Sequence, residues 1–315
     1  MSLPAPAPDP DALASALGEP LAGIEPLAKG ATCQVWKLTT RRRAYVLRLF
    51  SGRPSRTDLP AEIRIRGRMA DAGAAVAEPI LSSLDRPDLH PGTPWVLDAF
   101  VAGSHYARGA LASRAAADLG RTLALLHGLP AQAFGVPAPG PAGGFRGSAA
   151  TAIAGLHTRF EDPLPAEPQA LAAHPAVQAA PDLAGRLQPL LQRVRDEVSQ
   201  RKGVLCHADL HERQFICRDG RLAALIDFGD ATIADPRWDF ASLLYFHGPE
   251  ILAAVLTGYT EDPARRRQLG ADAVLFSLGI ALHHAARSRH PGRGHRLAVA
   301  TAYLRRALRH TVLAD

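Results

Sequence analysis

Hydrophobic and polar positions are arranged in two different ways along this chain. Between residues 20 and 101 the apolar residues come in short runs, "GIEPLAKG", "TCQVWKLT", "RAYVLRLF", "EPILSS" and "PWVLDAFV". These runs are rich in Val, Leu, Ile or aromatics, the first three bounded by Gly or charged turns, which predicts strands. One segment among them, "LPAEIRIRGRMADAG", has Pro60 and Glu62 near its start and Gly73 at its end, the signature of a helix. After Gly103 the pattern becomes helical, in "ALASRAAADLGRTLALLHGL", in 183–201 and in 271–312. Residues 130–149, "PAQAFGVPAPGPAGGFRGSA", are rich in Pro and Gly and predict a loop. The Ala/Pro-rich opening residues predict a loose start, with 1–19 partly flexible. No internal repeat is visible. The expectation is an α+β protein of two lobes: a small β-rich N-terminal lobe, 1–101, and a larger helical lobe, 102–315, joined at about 98–104.

Composition narrows the class only a little. The 315 residues are 47% hydrophobic and 21% charged, an ordinary globular balance with enough chain for two real cores. No run of about 18 apolar residues is visible in the sequence, so no membrane span is expected. The start lacks a basic region followed by an apolar one, so a cytoplasmic protein is expected. Cys33, Cys206 and Cys217 are scattered and odd in number, offering neither a disulfide framework nor paired metal-ligand spacing. The net charge is +6 and the isoelectric point about 9.6. Lys occurs only at 29, 37 and 202, so the basicity is arginine. The "RRR" clusters at 41–43 and 265–267 have no interleaved aromatics and read as solvated surface, which argues against nucleic acid as a partner.

The chemistry concentrates in residues 204–231, "VLCHADLHERQFICRDGRLAALIDFGDA". Asp219-Gly220 between apolar runs is a hairpin signal. A two-residue turn there sets Arg218 opposite Arg221 and Gln214 opposite Leu225, with Asp227 on the same face as Gln214. Diagonal neighbours of that kind lie roughly 7–8 Å apart, close enough to share a hard cation. Asp227 then suits a metal ion, Gln214 a second through its amide oxygen, and Asp209 the orientation of a hydroxyl, the needs of phosphoryl transfer.

This segment resembles the aminoglycoside phosphotransferase and choline kinase superfamily, which has a protein-kinase-like fold. The family pattern H-x-D-x-x-x-x-N appears as His207-Ala208-Asp209 and then Gln214, and its I-D-aromatic-Gly element as Ile226-Asp227-Phe228-Gly229. "ADPRWDFA" is similar to the family's G-D-P-x-x-D-L-A, with Asp235, Pro236 and Asp239 in register. Gln214 departs from the usual Asn; it keeps the amide oxygen but reaches about 1.5 Å farther.

The resemblance implies an ATP-dependent, Mg²⁺-requiring phosphotransferase acting on a hydroxyl of a small molecule, with GTP as an alternative donor. It implies catalytic roles for Asp209 and His207 and metal ligation by Gln214 and Asp227. It puts Arg48 of "YVLRLF" at the position of the phosphate-facing cation and Glu62 as its partner, an Arg standing where such folds have Lys. Gly30, in "LAKGATCQVWK", belongs to the phosphate-covering loop, and backbone groups of about Asp98 to Phe100 to the adenine edge. Only eleven residues separate Asp227 from Asp239, and no A-P-E follows, which argues against a protein substrate. His283, His284, Trp238 and Tyr245 read as packing residues, and His211 as either a loop holder or a ligand contact. Aminoglycosides, amino alcohols, sugars and homoserine-like acceptors stay open, as does the oligomeric state. The alternative function is a catalytically weak nucleotide-binding regulatory protein of the same fold.

Overall fold

Strand β3 shows how the first sheet is built. In the computed structural model, which describes residues 9–29, 33–50, 58–106 and 110–311, the helix α1 (Pro10–Leu17) leads into strands β1 (Leu21–Lys29), β2 (Cys33–Thr40) and β3 (Ala44–Phe50). Along β3 every second side chain is buried: Tyr45, Leu47 and Leu49 pack with Leu38, Trp95 and Leu97. The strand period therefore turns Arg48 to the opposite face. Helix α2 (Leu59–Asp71) and strands β4 (Pro79–Ser82) and β5 (Trp95–Ala99) complete an antiparallel five-stranded sheet of order β1-β2-β3-β5-β4. Within the span expected to be loose, residues 10–17 form a helix. Asp9 caps α1 through its carboxylate, and Leu13 is buried in the core of the sheet.

The helical part begins with α3 (Ser113–His127). Residues 130–149, expected as loop, instead form β6 (Ala131–Gln132), β7 (Phe134–Pro139) and β8 (Phe145–Ala149). Their glycines serve close approach rather than chain freedom: a Cβ at Gly147 would fall 2.1 Å from the Phe134 carbonyl oxygen. Helices α4 (Ala152–Arg159), α5 (Pro168–Ala172), α6 (Pro175–Ala179) and α7 (Ala184–Ser199) follow. Then come β9 (Val204–Cys206), the hairpin β10 (Phe215–Arg218) and β11 (Arg221–Leu225), and β12 (Thr232–Ala234). Strands β9 and β12 join the earlier three in a sheet of order β6-β8-β7-β12-β9. The chain ends with α8 (Arg237–His247), α9 (Pro249–Tyr259), α10 (Pro263–Ala286) and α11 (His295–Thr311).

Two clusters form the core of this part, one around Trp238, Phe276 and Leu304 and one around Phe215, Phe228 and Phe240. Ile65 and Met69 of α2 belong to the second cluster, so α2 is packed against the helical part as well as the first sheet. The segment Pro263–Arg289 is, against the sequence expectation, long and apolar enough to cross a membrane by length and composition. In the fold, 78% of its apolar window is buried inside the protein, which accounts for that composition. Cys206 is buried, and Cys33 and Cys217 are half-buried.

Helices α3 and α9 meet at glycines. A Cβ at Gly120 would lie 2.0 Å from the Val255 carbonyl oxygen, and one at Gly258 1.9 Å from that of Ala117. Gly258→Ala is expected to lower the thermal midpoint, since overpacking costs about 1–3 kcal/mol. Helix propensity alone gives the opposite sign, a gain of about 1 kcal/mol. Calorimetry of the variant decides between them, and a raised midpoint rejects close helix contact as the constraint.

Candidate active site

The hairpin that carries the site is shifted by one residue from the simple expectation. Asp219 and Gly220 form its turn, with φ of 52° and 71°, the backbone of a two-residue I′ turn. Arg218 pairs with Arg221 as expected. A bulge between Ile216 and Cys217 then sets Phe215, not Gln214, opposite Leu225. Gln214 faces Ile226 instead, its carbonyl accepting the Ile226 N–H at 3.0 Å. The extra residue is Ala223, which has no partner in the ladder. Gln214 and Asp227 converge all the same. Asp227 adopts a left-handed conformation (φ 65°, ψ 68°), and Phe228 returns to the core. Gln214 Nε2 then lies 3.4 Å from Asp227 Oδ2 and 3.1 Å from Asp209 Oδ2.

The loop before the hairpin is held from beneath. Asp239 of α8, fully buried, accepts the backbone N–H groups of His207 (2.9 Å) and Ala208 (2.8 Å) and contacts His127 Nε2 at 3.1 Å. His207 is also fully buried. Its Nε2 contacts the Ile226 carbonyl at 3.0 Å, its Nδ1 accepts the Asp209 N–H at 3.4 Å, and its ring meets Phe228 edge-on. The expectation of a catalytic role for His207 is therefore corrected. With both ring nitrogens engaged and no solvent-facing surface, it is a positioning residue. Ala208 sits at φ 63°, uncommon for a residue with a Cβ, and Arg159 donates to its carbonyl at 2.9 Å.

Asp209 projects from this loop, partly open to solvent. Arg159 Nη2 lies 3.5 Å from its Oδ1 and His211 Nε2 3.5 Å from its Oδ2. Burial would raise its pKa, but the hydrogen bond to His211 and the charge of Arg159 outweigh it and hold the carboxyl well below the usual range. The same pairing raises the His211 pKa against its own burial. Arg159 Nη2 also reaches Asp230 at 3.3 Å, so one buried guanidinium ties the Asp209 loop to the Asp227 turn.

The donor set around Asp227 fits a hard divalent cation. The Gln214 amide lies within 3.1–3.4 Å of the Asp209 and Asp227 carboxylates, and rotating it by a half turn exchanges its Nε2 for an Oε1 that could ligate. Asp227 is accessible to water but surrounded by protein. Desolvation pushes its pKa up; Arg48 opposes this, whereas Glu62 and Asp209 add to it. A cation at Asp227 would relieve that repulsion.

On the other side, Arg48 of β3 meets Glu62 of α2 at 2.8 Å and Asp98 of β5 at 3.1 Å. Arg66 of α2 lies 3.6 Å from Glu62 and also pairs with Asp98. All four side chains are largely buried. Burial would lower the Arg48 pKa, but Glu62 and Asp98 outweigh it and keep the guanidinium charged. The placement of Asp98 at the adenine edge needs correction: its backbone runs between β3 and β4, and its carboxylate belongs to this ionic group. The N–H groups of Ala99 and Phe100 donate to the carbonyls of Glu78 (2.8 Å) and Ala44 (3.1 Å), so the Phe100 N–H is committed too. The chain leaves the sheet after Ala99 and is pinned again at Ser104, which exchanges two backbone hydrogen bonds with Cys217 of β10. Gly30 lies outside the described residues.

A sequence model of the phosphotransferase enzyme family matches residues 23–269. The chain belongs to this family. No curated protein matches it. Among solved structures it is similar to aminoglycoside phosphotransferase APH(4)-Ia, at 17% identity and a TM-score of 0.64, over 94% of this chain and 96% of that one. It is similar to macrolide 2′-phosphotransferase MphH from Brachybacterium faecium, at 21% identity and a TM-score of 0.57, over 93% and 96%. It is also similar to aminoglycoside 2′-phosphotransferase-IIIa, solved with GDP, at 16% identity and a TM-score of 0.62, over 96% and 97%. At these identities the likeness establishes the fold, the expected α+β protein-kinase-like arrangement. Membership makes the chain a small-molecule kinase by class.

Within this phosphotransferase, sequence reasoning missed Arg159, Arg66 and the ionic role of Asp98. None sits in a recognisable motif. Only the i,i+4 spacing of Glu62 and Arg66 offered a signal. Asp98→Ala leaves two buried guanidinium groups sharing Glu62. Breaking a buried pair this way costs about 3–5 kcal/mol. Urea denaturation is expected to show a loss of that size, and a change under about 1 kcal/mol rejects the network as a structural element.

Proposed function

We propose that this phosphotransferase moves the γ-phosphate of ATP to a hydroxyl group of a small molecule. The observation that supports this reading is the convergence of Asp209, Gln214 and Asp227 within 3.1–3.4 Å contacts, together with the Arg48–Glu62 pair between β3 and α2. The acceptor oxygen forms a bond to the γ-phosphorus as the bond from that phosphorus to the β–γ bridging oxygen breaks. ADP leaves with the electron pair, and the hydroxyl proton passes by way of Asp209 to solvent. A carboxylate held as far down as Asp209 is a weak base, so its main work is to orient the hydroxyl, in keeping with a loose transition state. Mg²⁺ held by Asp227 and Gln214 would neutralise phosphate charge. Arg48 offers a fixed positive charge to the same phosphates.

The related structures were solved with nucleotides, ADP in one case, AMP-PNP in another and GDP in a third. This supports a purine nucleotide as donor, with ATP first and GTP the alternative. Related phosphotransferases solved with hygromycin B and with spectinomycin support a small hydroxyl-bearing acceptor. The glutamine at 214 and the arginine at 48 motivate the second reading, a nucleotide-binding regulator with weak catalysis.

Asp209→Asn is expected to lower kcat by about 10²-fold or more while ATP affinity survives. Steady-state turnover and nucleotide titration check this, and near-normal turnover removes Asp209 from the reaction. Asp227→Ala is expected to abolish Mg²⁺-dependent nucleotide binding. Gln214→Ala should mainly cut turnover, because a neutral amide attracts the cation less than a carboxylate does. Titrating ATP affinity and turnover against Mg²⁺ separates the two. An unchanged Mg²⁺ dependence in Gln214→Ala, with unchanged turnover, makes the glutamine a loop residue and favours the regulator.

A further inference from the structure

Beyond Asp209 and His211, the structure gathers arginines around aromatic rings. His211, 3.5 Å from Asp209, meets Phe246 with ring centroids 6.0 Å apart. Phe246 meets His284 at 5.2 Å, and His284 lies flat on Tyr245 at 4.9 Å with an interplanar angle of 2°. Arg296 of α11 then bonds His284 Nδ1 through Nη1 at 2.8 Å. His284 is held neutral: burial, with Arg296 adding to it, pushes its pKa down to about 3, so its lone pair accepts from the guanidinium. His211 touches both Asp209 and Phe246, which places this wall beside the Asp209 carboxylate.

The positive charge here is under-compensated. Among the described residues, neither Arg293 nor Arg296 forms an ion pair with a carboxylate. Arg287 Nε is buried without a hydrogen-bond partner, its nearest acid being Glu161 at 3.9 Å. Glu161 also bonds His290, at the shorter distance of 2.8 Å. Asp162 lies 3.8 Å from Arg289 at the surface, and Asp230 and Asp209 are both taken up by Arg159. Burial depresses the Arg287 pKa to about 10, with Arg293, Arg159 and Arg296 adding their repulsion. Half-buried like charges destabilise one another unless an anion joins them. A polycation such as an aminoglycoside would make the crowding worse, whereas an oxyanion would meet guanidinium donors suited to it.

We propose that the acceptor is a hydroxy compound carrying an anionic group, carboxylate or phosphate, seated on Arg287, Arg293 and Arg296, with its body against Tyr245 and Phe246 and its hydroxyl toward Asp209. This rests on the phosphotransferase reading above and names its substrate class. The test is a set of sugars that share a pyranose ring and differ in charge: glucuronate, glucose 6-phosphate, glucose and glucosamine. Each is titrated by calorimetry into the protein saturated with Mg²⁺ and AMP-PNP, and then offered as acceptor with labelled ATP. One or both anions are expected to bind at least tenfold more tightly than glucose, with glucosamine weakest. Which anion wins distinguishes carboxylate from phosphate. Arg296→Gln and Arg293→Gln are expected to weaken anion binding tenfold or more, and AMP-PNP binding in the same sample reports that each variant is folded. Glucose or glucosamine binding as tightly as the better anion overturns the proposal. So does a failure of all four sugars to bind, or an anion affinity unmoved in both variants. The phosphotransferase reading fails on different results: no binding of AMP-PNP with Mg²⁺, or no phosphate transferred to an anion that does bind.

Discussion

The active-site loop rests on one carboxylate with no access to water. Asp239 gathers two backbone N–H groups, from His207 and Ala208, and the ring of His127. Burial would raise its pKa, but the contact with His127 outweighs burial and keeps it ionised. Those contacts tie α8 and α3 to the loop and hold Ala208 in a left-handed conformation that a residue with a Cβ seldom adopts. Asp209 leaves the loop from that fixed point. Its direction, and so its distance to Gln214 and Arg159, follows from a residue that never meets a ligand. An unpaired donor at this depth would cost about 1–3 kcal/mol, enough to let the loop relax away from the arrangement that the chemistry needs.

Much of this was legible in the sequence, and the exceptions have physical causes. The strands up to Ala99 and the long helices announce themselves by period, because each buries one face. Residues 130–149 did not, because Gly and Pro mark turns in most settings, yet here Gly147 is what lets β8 lie against Phe134. The hairpin turn was readable from Asp219-Gly220. The bulge at Ala223 was not, since no residue type commands one, and it moved the pairing of Gln214 by one position. Asp209, Gln214 and Asp227 stood out through spacing. Arg159 did not, because its partners lie about fifty residues or more away in sequence and only the fold joins them.

The arginine-rich composition also changes meaning once the fold is known. The clusters at 41–43 and 265–267 lie largely on the surface, as solvated charge would. Others are interior parts. Arg237 is bound to Asp235, Glu197 and Asp272, and Arg66 to Glu62 and Asp98. A planar guanidinium can serve several carboxylates at once, whereas an ammonium offers a single nitrogen. With only three lysines in the chain, the buried ionic joints are built from arginine.

Arg48 draws a particular consequence from this. Its Nε and Nη2 are each fixed by a carboxylate from a different element, α2 and β5, while Nη1 has no partner among the described residues. Two anchors on a rigid plane determine where the third nitrogen points. A lysine in the same place would have to divide one ammonium between the protein and a phosphate, and would settle its orientation only when the phosphate arrived. Here the orientation exists beforehand, so under the proposed function a nucleotide phosphate docking at Arg48 would meet a preorganised donor and lose less entropy.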